Sequence, residues 1–170
     1  MLSVPIYSFH SFVTLPYGPS DNHKHDVSTN WQIYNGIRQN SLNFFSKTST
    51  PSAPIIWSKK NNKGKVKALI VNSGNANAHT GQAGIKIIDH YTDFLSKYIG
   101  CKKNEIIVSS TGVIGEIFDP KLITKQIEKI NFSKDKDLLS AAKAIMTTDT
   151  YPKICIKTVH INNYKFKIYG

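Results

Sequence analysis

The stretch from Lys65 to Gly112 constrains the fold most. "KVKALIVN" (Lys65 to Asn72) begins in alternation and ends in a continuous apolar run, the pattern of a buried strand. "NSGNANAHTG" (Asn72 to Gly81) then offers almost no side-chain bulk and reads as a loop of small residues. Ile87, Ile88, Tyr91, Phe94, Leu95, Tyr98 and Ile99 recur at spacings of three and four, the apolar face of one helix. Gly100 is placed to end that helix as a left-handed cap. "EIIVSS" (Glu105 to Ser110) is a second buried strand, and it too runs into small residues, Ser109, Ser110, Thr111 and Gly112. The order is therefore one of mixed strands and helices, with a small-residue loop after each of two buried strands.

The flanks add further elements. "APIIW" (Ala53 to Trp57) is a short apolar run beside prolines and reads as a strand. Asp119 followed by Pro120 is a helix-start signal, a side-chain acceptor and then a residue that needs no N–H partner. Leu122, Ile123, Ile127 and Ile130 give that helix its buried stripe. "DLLSAAKAIMT" (Asp137 to Thr147) is a further helix. "KICIKTVHI" and "YKFKIY" alternate at period two around Asn162-Asn163, a hairpin signal. Residues 1–43 are weakly patterned, and residues 44–170 form the ordered part. "HKHD" (His23 to Asp26) has no further ligands at metal spacing and reads as a surface loop, so no metal is expected.

Composition narrows the function classes. At 170 residues the chain is long enough for one ordinary core, and 40% hydrophobic content argues for a folded protein. No apolar stretch reaches the roughly 20 residues of a membrane helix. The first 18 residues lack a basic n-region and are interrupted by Pro5 and Pro16, which argues against a secretory signal. Cys101 and Cys155 lie apart without metal spacing, as reduced cytosolic thiols do. The formal charge of +11 invites a nucleic-acid partner. Against it, Arg38 is the one arginine, and the lysines are scattered along the chain. The densest group, "KKNNKGKVK" (Lys59 to Lys67), reads as a solvated loop entering a strand.

Three stretches could carry chemistry. The loop Asn72, Ser73, Gly74, Asn75 and onward could let backbone N–H groups cradle an anion, or could be a tight connection whose asparagines bond the backbone. It has neither the lysine ending of a Walker loop nor a dinucleotide fingerprint. At Thr111-Gly112, glycine would admit a ligand to its N–H and threonine could donate a second bond, together an oxyanion hole. A plain turn is the simpler reading of the same residues. In "AIMTTDTYPK" (Ala144 to Lys153), Thr147, Thr148, Asp149 and Thr150 could hold a polar substrate or could be a hydroxyl-rich helix end. No Ser-His-Asp set stands out, and His79, His90 and His160 have no obvious partners.

Taken together, "VNSGNANAHTG", "SSTGVIGE" and "AIMTTDTYPK", with "SKTSTPSAPIIWSK" before them, resemble in order and spacing the ornithine acetyltransferase family, the bifunctional glutamate N-acetyltransferase of arginine biosynthesis. The resemblance covers residues 44–170. It implies an α/β fold of layered sheets and helices with N-terminal-nucleophile chemistry. The family precursor cuts itself between an alanine and a threonine. The new N-terminal threonine carries acetyl from N-acetylornithine to glutamate, and acetyl-CoA is a further possible acetyl donor; no resident cofactor is implied. Carried over, Thr111 and Gly112 match the oxyanion pair, and Thr147, with Thr148 and Thr150 as close competitors, matches a substrate-binding threonine. The "SGNANA" loop falls on Ser73 to Ala78.

The resemblance further implies a cytoplasmic assembly of two α and two β chains. This sequence ends ahead of the family's cleavage site, so it corresponds to part of an α-chain, and no acetyl transfer is expected from it alone. The rival readings are a same-fold amidohydrolase or aminopeptidase, and a basic binding module without catalysis.

Overall fold

A computed structural model describes residues 12–16, 30–41, 43–130, 138–146, 148–161 and 164–169. Strands β1 (Phe12–Pro16), β2 (Asn30–Asn40), β3 (Lys65–Asn75) and β4 (Ile106–Val113) form one sheet in the order β1-β2-β3-β4. The β1/β2 and β2/β3 pairs are antiparallel and β3/β4 is parallel. A parallel pair needs a crossover, and α2 (Gly81–Tyr98) supplies it.

Alternation along the parallel strands selects one sheet face for the core. Ala68 and Ile70 of β3 and Ile106 and Val108 of β4 are buried against α1 (Ala53–Asn61), α2 and α3 (Lys121–Ile127). The amphipathic stripe of α2 lies there as expected, with Ile87, Ile88, Tyr91 and Leu95 buried. Gly100 ends α2 at φ 64°, a left-handed cap. Lys67 Nζ closes the same helix end by donating to the carbonyls of Ile99 at 3.1 Å and Gly100 at 3.0 Å.

Ala53–Trp57 is not a strand. It is the first part of α1, and Ala53, Pro54, Trp57 and Ser58 are buried together on one helical face. Pro54 sits in the first turn, where a missing N–H leaves nothing unpaired. The strands are also longer than the sequence suggests. Ser73–Asn75 extends β3 beyond the expected end at Asn72, and Thr111–Val113 extends β4 beyond Ser110.

α3 begins at Lys121, whose N–H donates to Asp119 Oδ1 at 2.9 Å, and Ile123, Ile127 and Ile130 are buried while Leu122 is half-buried. α4 (Leu138–Ala144) falls inside the expected helix. β5 (Ile156–Ile161) and β6 (Tyr164–Tyr169) pair antiparallel as a second sheet. The register Ile161↔Tyr164 agrees with a two-residue connection; Asn162-Asn163 itself lies outside the described residues, as does His23–Asp26. Among the described residues no helix is long and apolar enough to cross a membrane, and no His/Cys/Asp/Glu group could hold a metal ion.

Candidate functional site

The two small-residue stretches meet at the carboxyl ends of the parallel strands. The register sets Asn72 beside Ser110, Ser73 beside Thr111, Gly74 beside Gly112 and Asn75 beside Val113. Ligand sites in open α/β sheets gather at such strand ends. The pairing runs on past the strands, with Ala76 N–H donating to Val113 O at 2.8 Å and Gly115 N–H to Ala78 O at 2.9 Å.

These bonds decide which way each amide of β4 points. Val113 O faces β3, because Ala76 donates to it. Val108 faces away, because its N–H and C=O both bond Ser58 Oγ, at 3.1 Å each. Successive residues of a strand alternate. Ile107, Ser109, Thr111 and Val113 therefore turn their amides to β3, while Ile106, Val108, Ser110 and Gly112 turn theirs to the outer edge. Along that edge the Ile106 N–H bonds Lys103 O, and Ser58 occupies Val108. The next outward donors are the N–H groups of Ser110 and Gly112, and among the described residues nothing bonds them. The open length of the edge thus begins at Ser110.

Thr111 and Gly112 differ in what they can offer. The Thr111 N–H is turned to the ladder, so its half-buried hydroxyl is the donor left to it. Gly112 is exposed, with φ 128°. Small size at 112 has a structural cause besides any ligand: a Cβ there would overlap the carbonyl carbon and oxygen of Gly74. The close backbone approach read from the sequence is thus, in the first place, one strand against another.

The asparagines of "NSGNANA" bond backbone, the structural alternative read for that stretch. Asn72, buried on the helix-facing side, accepts from Ser110 Oγ and donates from Nδ2 to Asn75 O at 2.5 Å. Asn75 accepts the Asn77 N–H at 2.7 Å and donates to Glu116 O at 3.1 Å. Asn77 takes a positive φ of 46°, donates to Gly84 O at 3.1 Å, and accepts from Thr80 Oγ1 at 2.6 Å. Its carbonyl receives the Ala53 N–H of α1 at 3.1 Å.

The third stretch reaches the same place. Buried Ser73 donates from Oγ to Met146 O at 3.4 Å, which brings the entrance of "TTDT" to the end of β3. Thr148 and Thr150 are exposed just beyond it, and Asp149 pairs with Lys153. Thr147 lies outside the described residues.

Two contributors escaped the sequence reading. Ser58 was not singled out, because the residues before it read as a strand; as the fourth buried member of a helical face it would have been legible. Ser110 was within view, but its partner Asn72 is 38 residues away, and no local pattern announces that pairing.

A model of the ArgJ family matches residues 21–170, starting ahead of Phe44. The arginine biosynthesis bifunctional protein ArgJ of Bradyrhizobium diazoefficiens is 43% identical over 128 residues, 74% of this chain and 31% of that relative. The ArgJ of Rhizobium meliloti is 40% identical over the same shares. The chain thus spans about a third of the length of the curated relatives it matches. Among solved structures, ArgJ of Bacillus halodurans aligns with a TM-score of 0.72 at 26% identity, covering 84% of this chain and 75% of that one. Ornithine acetyltransferase of Mycobacterium tuberculosis, solved in complex with ornithine, aligns at 0.60 and 26% identity, covering 84% and 78%. The α/β expectation holds in these neighbours, and a family match running from residue 21 to residue 170 means that this chain belongs to the ArgJ family.

Proposed function

We propose that this chain supplies the oxyanion pair and part of the substrate pocket of an acetyltransferase that moves acetyl from N2-acetyl-L-ornithine to L-glutamate in arginine biosynthesis. The carrying observation is the outward Gly112 N–H, on the part of the β4 edge left open beyond Val108, next to the hydroxyl of Thr111. Acyl transfer passes through a tetrahedral intermediate whose oxygen bears the charge. Donors fixed before reaction stabilise that oxygen without reorganising. In this reading the attacking hydroxyl belongs to an N-terminal threonine on a second chain of the same precursor, freed by autocatalytic cleavage, and its own amine takes the proton. Thr147, Thr148 and Thr150 hold the polar substrate, with Ser73–Met146 fixing the segment that carries them.

One feature of the relatives supports a two-chain enzyme. A match over 74% of this chain is 31% of the Bradyrhizobium protein, whereas one over 84% of it is 75% of the solved Bacillus halodurans chain, so the solved chain is much the shorter. The assembly is two α and two β chains in the cytoplasm, and acetyl-CoA is a possible second acetyl donor. The test is acetyl transfer from N2-acetyl-L-ornithine to L-glutamate, by the chain alone and in assembly with a nucleophile-bearing chain. Turnover is expected only in the assembly, and Thr111→Ala should lower kcat there by about 100-fold or more with KM little changed. Undiminished kcat in that variant would refute the oxyanion assignment.

A further inference from the structure

We propose that Asn72 is a positioning residue for the oxyanion pair, acting through the hydroxyl of Ser110; this rests on the oxyanion reading of Thr111 and Gly112. The need for such a residue follows from the glycines. Where β3 and β4 cross at Gly74 and Gly112, both residues have positive φ, 110° and 128°. Neither has a side chain to pack against its neighbour. Glycine accepts many backbone conformations, so the direction of an amide at 112 has to be imposed from outside.

Asn72 is the group built to impose it. It is 1% exposed, at the last side-chain position of β3 before the glycine crossing on the helix-facing side. Its Oδ1 receives the Ser110 hydroxyl, which pins the β4 residue directly before Thr111. Its Nδ2 donates at 2.5 Å to the carbonyl of Asn75, the β3 residue directly after Gly74. One buried amide thereby ties β4 on the near side of the crossing to β3 on the far side. Two polar bonds replace the apolar packing that Ile70 and Val108 provide one step earlier on the same face. The peptide between Thr111 and Gly112 is held with its carbonyl toward β3, so its N–H stays at the outer edge. An amide freed from this tie would sample other directions, and small displacements of a reacting group can lower turnover by about two orders of magnitude.

The experiment has an exchange arm and a turnover arm. In the full chain, amide hydrogen exchange reads the tie itself. Ser110→Ala should speed exchange of the Thr111 amide at least about tenfold, Asn72→Ala more, and both should leave the Ala68 amide of the same sheet as in wild type. Ser110→Thr restores the hydroxyl on a residue suited to a strand and should return Thr111 exchange to near the wild-type rate. In the assembled enzyme, counted by active sites, Ser110→Ala should lower kcat at least about tenfold with KM within about twofold, and Ser110→Thr should recover most of it. Unchanged Thr111 exchange in Ser110→Ala overturns the tie. Faster exchange with unchanged kcat overturns the positioning role while leaving the oxyanion reading intact. Thr111→Ala with undiminished turnover overturns that reading itself.

Discussion

At position 112 a side chain is excluded on two counts. A φ of 128° is one that L-residues rarely adopt, and a Cβ would collide with main chain of Gly74 and Asn75 rather than with a side chain that could swing away. Gly112→Ala should therefore destabilise the fold by about 2 kcal/mol or more, read as a lower denaturation midpoint at unchanged m-value. Thr111→Ala should leave that midpoint within about 0.5 kcal/mol, because its hydroxyl has no described partner to lose. The contrast separates a residue held by the fold from one held by chemistry. It also marks what the sequence could tell at this scale. "STG" after an apolar run announces that something comes close to the backbone. That the close neighbour is Gly74 depends on a register set by the whole α2 crossover, which no window around residue 112 contains.

α1 and β4 show why some elements were legible and others not. α2 with its C-cap Ile99 carries seven apolar residues at helical spacing over more than three turns, so its period is unmistakable. Ala53–Trp57 is five residues long, too short for strand and helix periods to separate, and its discriminating member is Ser58, one residue further on. That serine is 1% exposed and fills both hydrogen-bonding groups of Val108 at the sheet edge. Ser58→Ala would leave a buried N–H and C=O without partners and should cost about 1–3 kcal/mol, measured by thermal or denaturant unfolding. α1 is also tied to α2 through buried Trp57, whose indole N–H donates to Asp89 Oδ1 at 2.9 Å, with Lys103 Nζ at 2.9 Å on the same oxygen. Burial pushes the Asp89 carboxyl up, but the hydrogen bonds from Trp57 and Lys103 and the lysine charges outweigh it, and its pKa falls below 3.8. A carboxyl lowered in the folded state adds stability above its unfolded pKa and loses it as pH falls through the folded one. Asp89→Ala should thus be less stable than wild type at pH 7 by about 1–3 kcal/mol, chiefly from the stranded indole N–H. Asp89→Asn, which keeps an acceptor, should show a smaller gap that closes as pH drops below 3.8.

Over the whole molecule, charge and apolar surface make different demands. Lysines at 67, 97, 103 and 153 are already engaged, with a helix end, Asp93, Asp89 and Asp149. Four of the 21 lysines are so engaged, and the single arginine argues against a stripe that tracks phosphates. The apolar surface is more telling. Ile114 and Ile117 are 62% and 58% exposed on the segment that follows the open end of β4, and Val113 is partly exposed between them and the edge. Unpaired strand amides beside exposed isoleucines are a template for pairing with another chain. On the β5–β6 hairpin, Ile156 is likewise exposed. The β4 end has the sharper physical case, because Ser58 blocks the edge only as far as Val108. The isolated chain should therefore self-associate as its concentration rises. Ile114→Lys with Ile117→Lys should reduce that association, seen as a lower weight-average mass in light scattering, and should leave the unfolding midpoint within about 0.5 kcal/mol because both side chains lie in solvent. If the double variant associates as strongly as wild type while Ile156→Lys does not, the hairpin rather than the β4 end is the surface through which copies of this chain meet.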